Sequence, residues 1–235
     1  MPEKKSEFNV PPKKYHPKGL SILHEDQEII VVDKAAGLLT MGSNSEKFRT
    51  AHYLLNEYVR RGNERSRNRV YIVHRLDRDT SGVIVFAKSE RSKEFLQDNW
   101  KDFSKKYITL VHGTFEEKEG ELSSYLVENK AFRMYSVKNP ELGKFAKTGY
   151  KVMRESEKFS LLEIDLFTGR KHQIRVHLAD EGHPVVGDQV YGSPDKLNKR
   201  LALHSASLTV KHPKSGKEMT FETKVPFYFK SILKS

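Results

Sequence analysis

The sequence predicts an α+β fold with a mixed, largely antiparallel sheet. Strand patterns dominate, helical patterns are scattered along the chain, and no regular alternation of strand and helix appears. The chain has 235 residues, of which 37% are hydrophobic and 31% are charged. This balance is typical of a globular protein with a substantial core. No apolar run approaches the roughly 20 residues that a membrane-spanning helix needs.

The elements of the first half follow in chain order. Residues 1–19 are polar and rich in Pro and Lys, which predicts a flexible basic tail, so the ordered domain is expected at 20–235. The stretch "SILHEDQEIIVVDK" predicts two short strands around a polar turn at Glu25–Gln27. Thr50 can cap a helix whose apolar residues form one stripe, namely Ala51, Leu54, Leu55, Tyr58 and Val59.

The later elements alternate between strands and short helices. Val83–Ala87 is a continuous apolar run, which indicates a strand buried on both faces. Ser89 can cap the next helix, which would set Leu96, Trp100 and Phe103 on one side. Residues 171–181 predict a short helix that Gly182 ends. Further strands are predicted at 106–113, 149–153, 160–167, 203–210 and 219–223, before a terminal helix that begins at Pro226.

The charge of the chain favours a polyanionic partner. The formal net charge is +11, and each phosphate that a basic protein neutralises releases condensed counterions. The stretch "RRGNERSRNR" holds five arginines, opposed only by Glu64. Guanidinium groups match phosphate geometry, so this loop predicts contacts with a nucleic-acid backbone; a merely solvated loop is the alternative. The five residues are Arg60, Arg61, Arg65, Arg67 and Arg69.

The stretch "VHRLDRDTSGVIVFAKS", residues 73–89, places a carboxylate between arginines at the entrance to a buried strand. Partial burial of Asp77 would raise its pKa, whereas a nearby guanidinium would lower it. An aspartate that stays ionised away from water can act as a nucleophile or a base. The alternative is an ordinary ion pair that fixes the loop.

A second cluster of cationic residues lies at 166–192, in "LFTGRKHQIRVHLADEGHPVVGDQVYG". If a helix covers this stretch, His172 and Arg175 are three residues apart and share one face. The spacing of His172, His177 and His183 does not match a zinc-binding helix, and no cysteine is available to complete a site. We therefore expect no metal. These residues are better suited to bind phosphate, or to pair with a carboxylate elsewhere in the chain, than to bind a metal.

Five motifs together resemble one family. "HRLDRDTSG" at 74–82 resembles the signature of the RluA-type pseudouridine synthases. Four further motifs follow in the family's order: "KYITLVHG", "AKTGYKV", "TGRKHQIRVHLADEGHPVVGDQVYG" and "LHSASLTVKHP". The resemblance runs from about residue 20 to the end. It implies one catalytic domain whose mixed, largely antiparallel sheet lies in two halves with a central cleft. It also implies isomerisation of uridine to pseudouridine in RNA, without metal or cofactor.

The resemblance assigns roles by position. Asp77 would be the catalytic aspartate, Tyr107 would lie against the target base, and Arg175 would pair with Asp77. Arg75 would enter the RNA and help to displace the uridine, and Leu203 would help to line the pocket. Three flanking residues are expected to contact the substrate, namely His74, Arg170 and His172.

Some features depart from the family pattern or leave alternatives open. The early motif reads "DKAAGLLTM", with Ala35 for a usual proline and Met41 where a histidine is common. About twenty residues precede the matching region, so the N-terminal S4 domain of many relatives is expected to be absent. The lack of cysteine favours a cytoplasmic setting. We expect a monomer that acts on rRNA or tRNA. A non-catalytic RNA-binding or ribosome-assembly factor is the alternative, and a metal-dependent hydrolase would rest only on the histidines.

Overall fold

Antiparallel strands form the framework of both units into which the chain divides. The computed structural model describes residues 11–42, 46, 48–192 and 200–234. Unit 1 comprises Met1–Phe103 and Thr209–Phe221, and unit 2 comprises Ser104–Leu208 and Glu222–Ser235. Each unit therefore takes in two separate stretches of the chain.

Unit 1 is built around a core strand whose residues are all buried. Its elements are β1 (Leu20–Glu25), β2 (Ile29–Lys34), α1 (Ala51–Arg60), β3 (Tyr71–Ile72), β4 (Ser81–Ala87) and α2 (Glu90–Asp98). Strand β2 pairs with β1 on one side and with β4 on the other, and β3 pairs with β4, each time antiparallel. All seven residues of β4 are buried, as the apolar run at Val83–Ala87 predicts for a strand with two covered faces.

Both helices of unit 1 begin at the predicted caps. The Thr50 side chain accepts a hydrogen bond from the Tyr53 N–H at the start of α1, and Ser89 accepts one from the Ser92 N–H at the start of α2. Helix α2 ends at Asp98, so the prediction that Trp100 and Phe103 share its apolar side is wrong. They follow the helix in a turn, where their rings meet edge to face at 5.9 Å.

Unit 2 contains most of the remaining strands. Its elements are β5 (Ser104–His112), β6 (Glu119–Glu128), β7 (Met134–Val137), β8 (Lys144–Glu155), β9 (Phe159–Leu166), α3 (Gln173–Asp180) and α4 (Phe227–Leu233). The strand order is β5-β9-β8-β6-β7, and every pairing in this series is antiparallel. Two late strands, β10 (Leu203–Lys211) and β11 (Glu218–Glu222), pair with each other.

The predicted α+β class with largely antiparallel strands is confirmed. Strands β6 and β7 were not predicted, because β6 alternates between exposed and half-buried positions over most of its length and lacks a clean apolar face. None of the helices in the described part of the chain is long and apolar enough to cross a membrane.

The N-terminal segment is described only from residue 11 onward. Lys13–Tyr15 form a 3-10 helix. The Nε2 of His16 donates to the Pro11 carbonyl at 2.8 Å, and its Nδ1 accepts from the Ile22 N–H at 3.2 Å. Residues 1–10 of the predicted tail lie outside the described residues, and the tail boundary at residue 19 stays a prediction.

Candidate active site

Asp77 lies on the loop that leads into β4, and this loop is fixed on its N-terminal side by Thr40. The Thr40 hydroxyl donates to the Leu76 carbonyl at 2.8 Å and accepts from the Leu76 N–H at 3.1 Å. Both residues are buried, with exposed fractions of 2% and 5%. Because the backbone next to Asp77 is tied twice to a buried hydroxyl, the half-buried Asp77 side chain starts from a fixed position.

A buried lysine fixes the same loop on its C-terminal side. Lys34, the last residue of β2, is fully buried. Its Nζ donates to the carbonyls of Ala35 at 3.1 Å, Leu38 at 2.7 Å and Arg78 at 3.1 Å. One ammonium group therefore links the loop after β2 to the residue that follows Asp77.

The charge of Lys34 also lies within electrostatic reach of Asp77. Burial lowers the pKa of Lys34 to about 8, and the negative charges of Asp79, Asp77 and Asp33 oppose that shift. A pKa near 8 leaves the ammonium mostly charged at neutral pH. Sequence reasoning missed Lys34, although a lysine that ends the apolar strand "IIVVDK" is a visible signal.

The two residues before Leu76 differ in their exposure. His74 is half-buried, its ring lies 4.3 Å from the Trp100 ring, and its Nε2 accepts from the Val85 N–H at 3.2 Å. These contacts anchor the start of the loop on β4. Arg75 is exposed, as a side chain must be if it is to enter RNA.

Unit 2 carries Tyr107 and Leu203, two further residues that the resemblance singles out. Tyr107 lies in β5 opposite Ile164 of β9 and is 8% exposed. Leu203 begins β10 and is 3% exposed. Both side chains are thus held by the packing of unit 2.

Arg175 of α3 forms a bidentate ion pair with Asp188. Its Nε donates to Oδ2 and its Nη2 to Oδ1, both at 2.7 Å. Both residues are buried, with exposed fractions of 7% and 2%. The guanidinium carbon also lies 5.0 Å from the centre of the Tyr191 ring. This combination holds the planar guanidinium in one orientation.

The carboxylate of Asp188 stays ionised despite its burial. Burial alone would raise its pKa, but the hydrogen bonds and charge of Arg175 and the N–H groups of Tyr191 and Val190 bring it below the ordinary value. Sequence reasoning missed Asp188, which lies in the long arginine-containing motif at "GDQVYG". The expected pairing of Arg175 with Asp77 concerns residues of different units and stays a prediction.

The position of His172 differs from the prediction. Helix α3 begins at Gln173, and His172 is its N-cap with a φ of 54° and a ψ of 16°, so it does not share a helical face with Arg175. The left-handed backbone places it outside the helical repeat. Its Nδ1 lies 2.8 Å from the Tyr191 hydroxyl. Arg170 is exposed, and its Nε donates to the Phe145 carbonyl at 3.0 Å.

The other histidines of the cluster have separate partners. His177 is buried and contacts the hydroxyls of Thr148 at 2.9 Å and Ser124 at 3.0 Å, and burial lowers its pKa. His183 contacts the His112 carbonyl at 3.0 Å. Within the described residues, no group of three or more His, Cys, Asp or Glu could hold a metal ion.

The arginine loop follows α1. Arg61 ends that helix in the left-handed conformation, with a φ of 52°, and the Arg60 Nη1 lies 3.4 Å from Glu57 Oε1. Three further side chains of the cluster are exposed, namely Arg65, Arg67 and Arg69. The loop is therefore open to a ligand, as backbone contacts with RNA require.

Comparison with known proteins places the chain among RNA pseudouridine synthases. The model of the RNA pseudouridylate synthase family matches residues 28–180. An uncharacterized RNA pseudouridine synthase of Mycoplasma genitalium is 36% identical over 99% of this chain and 75% of its own length. The ribosomal large subunit pseudouridine synthase D of Nitrosomonas europaea is 37% identical over 92% of this chain and 65% of its own length.

A solved structure shares the fold. Human RNA pseudouridylate synthase domain containing 4 superposes with a TM-score of 0.74 at 24% identity, over 89% of this chain and 90% of that one. This likeness concerns the fold, whereas the family match and the relatives above 30% identity give the class of protein, an RNA-modifying isomerase.

The chain belongs to the RNA pseudouridylate synthase family. It is an enzyme that isomerises uridine to pseudouridine in RNA.

Proposed function

We propose that Asp77 is the catalytic carboxylate of this pseudouridine synthase. The observation that carries the proposal is the attachment of its loop on both sides. Thr40 bonds the residue before Asp77, and Lys34 bonds the residue after it. A catalytic group needs this kind of fixed position, because small displacements of a reacting group greatly reduce the rate.

The reaction requires an ionised carboxylate. It breaks the N1–C1′ bond of uridine, rotates the uracil and forms a C5–C1′ bond, and the C5 proton is released. Asp77 could attack C1′, remove a proton from C2′ to give a glycal, or add to C6 of the ring. In each route the site must exclude water, because water would trap the detached sugar. The Lys34 ammonium supplies a positive charge within electrostatic reach of Asp77 in every route.

Three residues of unit 2 complete the proposed site. Arg175 pairs with Asp77, Tyr107 lies against the target base and assists loss of the C5 proton, and Leu203 lines the pocket. The rigid orientation of Arg175 in its pair with Asp188 supports this role, since a fixed guanidinium needs no reorganisation when it binds a further carboxylate.

The target uridine must leave its stack before it can react. Extrusion of a nucleotide costs about a few kcal/mol, and the exposed Arg75 can occupy the vacated space. The flanking His74, Arg170 and His172 contact the substrate in this proposal. The exposed arginines of the loop after α1 bind the RNA backbone.

We infer that the substrate is a structured RNA, either ribosomal or transfer RNA. Ribosomal RNA is the first candidate, because the relative from Nitrosomonas europaea is named for the large ribosomal subunit. We also infer that the enzyme acts as a monomer in the cytoplasm, with residues 20–235 as its catalytic domain.

The direct test uses RNA labelled with tritium at C5 of uridine. The label is released to water only when C5 becomes bonded to C1′. We expect release from ribosomal RNA of a strain that lacks this protein, with mapped pseudouridines at the positions that the strain has lost. Absence of release from ribosomal and transfer RNA alike would contradict the proposed substrate class.

A further inference from the structure

Unit 1 contains an open cavity whose lining does not include Asp77 or the residues next to it in the loop. Its volume is about 800 Å³, and it lies between α1, the segment that leads into β3, and the side chain of Lys93 on α2. Small-molecule pockets in proteins have volumes of about 300–1,000 Å³, so one nucleotide fits within it.

Basic and aromatic side chains line this cavity together. Arg60, Arg69 and Lys93 are its cationic residues, and Glu57 is its one carboxylate. Tyr53 and Tyr71 also line it, and both are partly exposed. Cations that can hold a phosphate beside aromatic faces that can stack a base are the combination that binds single-stranded nucleic acid.

Hydrogen bonds between α1 and Val70 hold one wall of the cavity in place without a ligand. The Asn56 Oδ1 accepts from the Val70 N–H at 3.0 Å, and His52 Nε2 lies 3.0 Å from the Val70 carbonyl. Asn56 also donates to the His52 carbonyl at 2.8 Å. These contacts fix the distance between Tyr53 on the helix and Tyr71 on β3, so ligand binding requires little ordering of the protein.

One residue that lines the cavity has a polar atom without a hydrogen-bond partner among the described residues. The Nε of Arg60 is buried and makes no hydrogen bond there, while its Nη1 is only 3.4 Å from Glu57. A buried guanidinium N–H without a partner is costly. The Arg60 side chain as a whole is 41% exposed, so a phosphate can form a charge-assisted bond with the accessible part of the guanidinium.

An exposed aromatic residue lies beside the cavity. Phe48 is 69% exposed and meets the Tyr53 ring edge to face at 5.2 Å. Exposed aromatic rings next to arginines offer stacking surfaces for unpaired bases. An acidic peptide would use the cations of this cavity but not these rings.

We propose that this cavity is a second nucleotide site, which holds an unpaired nucleotide of the substrate RNA outside the reacting uridine. Arg60, Arg69 and Lys93 bind its phosphate, and Tyr53 or Tyr71 stacks its base. The inference rests on the proposed RNA substrate, since the two nucleotides belong to one molecule. Binding here raises affinity for RNA without taking part in bond exchange.

The test uses fluorescein-labelled hexaadenylate, which contains no uridine and therefore cannot react. Fluorescence anisotropy is measured for the full chain and for Arg60→Ala, Arg69→Ala and Tyr53→Leu. The control is Arg91→Ala, which removes an exposed arginine of α2 that does not line the cavity. We expect each cavity variant to weaken binding about tenfold, the effect of losing a charge-assisted bond or a stacked base. The control should leave binding unchanged.

Photocrosslinking localises the bound oligonucleotide. Ultraviolet irradiation, digestion with trypsin and fragment sequencing should place adducts on Tyr53 in the peptide 50–60 or on Tyr71 in the peptide 70–75. The inference would be overturned if the cavity variants bound as well as the wild type, or if adducts were confined to residues outside the cavity. It would also be overturned if hexaglutamate displaced the probe as effectively as unlabelled hexaadenylate.

A turnover assay separates this inference from the proposed function. With C5-tritiated RNA, Arg60→Ala should raise KM and leave kcat nearly unchanged, whereas an unchanged KM would overturn the inference alone. In a further outcome, the wild-type chain releases no tritium while the cavity variants still bind the oligonucleotide more weakly than the wild type does. That result would support the cavity site and contradict the proposed substrate class.

Discussion

Arg175 and Asp188 form a buried, bidentate ion pair, with both nitrogen–oxygen distances at 2.7 Å. The pair joins α3 to the "GDQVYG" segment. Asp188 also accepts hydrogen bonds from the backbone N–H groups of Val190 and Tyr191. One carboxylate therefore orients the arginine that we propose as the partner of Asp77.

The variant Asp188→Asn tests the structural importance of this pair. Loss of the negative charge leaves the Arg175 guanidinium buried beside a neutral amide, so the free energy of unfolding should fall by about 3 kcal/mol. Chemical denaturation measures this value. Asp180→Asn, an exposed position on the same helix, should change stability by less than about 1 kcal/mol.

The same pair predicts how stability depends on pH. The pKa of Asp188 is lowered in the folded chain, so its contribution is present above the unfolded value of 3.8 and is lost as pH falls through the folded pKa. Wild-type stability should decline more steeply than that of Asp188→Asn below this value. Parallel pH profiles for the two proteins would contradict the ion-pair account.

Lys34→Met tests whether the buried ammonium positions the Asp77 loop. The carbonyls of Ala35 and Leu38 lose a donor, and the link to Arg78 is broken. We expect kcat to fall on the order of 100-fold through misplacement of Asp77, with RNA affinity much less affected. Lys88→Met is the control, because Lys88 is a partly buried lysine of unit 1 that bonds Glu25 instead. Equal kcat values for the two variants would contradict a positioning role.

A pH titration gives a second measurement on the same variant. The folded pKa of Lys34, about 8, lies below the ordinary lysine value of 10.5. Between these two pH values the unfolded chain holds this proton and the folded chain does not, so the free energy of unfolding of the wild type should rise with pH. The free energy of unfolding of Lys34→Met should not show this rise with pH. If the free energy of unfolding rose equally with pH in the wild type and in Lys34→Met, the pKa of Lys34 would not be lowered.

The double variant Arg65→Ala/Arg67→Ala tests the predicted contacts of the arginine loop with RNA phosphates. Each lost contact should reduce the slope of log K against log salt by about 0.7–0.9, so the pair should reduce it by roughly 1.5. Binding measured across a series of salt concentrations gives the slope. Arg154→Ala, an exposed arginine of β8, is the control. An unchanged slope in the double variant would favour the solvated-loop alternative.

Turnover should not depend on a bound transition metal. His177 and His183 each contact oxygens of the protein, so they are not arranged as ligands of one ion. Dipicolinic acid, added with magnesium kept in excess to preserve RNA structure, should leave tritium release unchanged. Loss of activity that zinc restores would favour the hydrolase alternative.

Local elements of the fold could be predicted because their signals are local. The caps at Thr50 and Ser89 and the buried strand at Val83–Ala87 depend on residues within one or two turns, and all three are confirmed. The start of α3 was misplaced because the left-handed backbone of His172 carries no clear sequence signal.

The supports of the site depend on contacts distant in sequence. Lys34 bonds a carbonyl 44 residues away, and Arg175 pairs with a carboxylate 13 residues away, across the end of a helix. Neither partner follows from periodicity or composition, because tertiary packing alone brings them together. The motif around Asp77 could be recognised, whereas the groups that hold it in position could not.

We propose that the carboxylate of Asp77 performs the chemistry, and tritium release by Asp77→Asn is the decisive measurement. Asp79→Asn, an exposed carboxylate two residues away, is the matched control. We expect Asp77→Asn to bind C5-tritiated RNA with nearly wild-type affinity and to release no label, while Asp79→Asn retains most of its activity. Turnover by Asp77→Asn at a rate close to that of the wild type would rule out a catalytic role for this carboxylate.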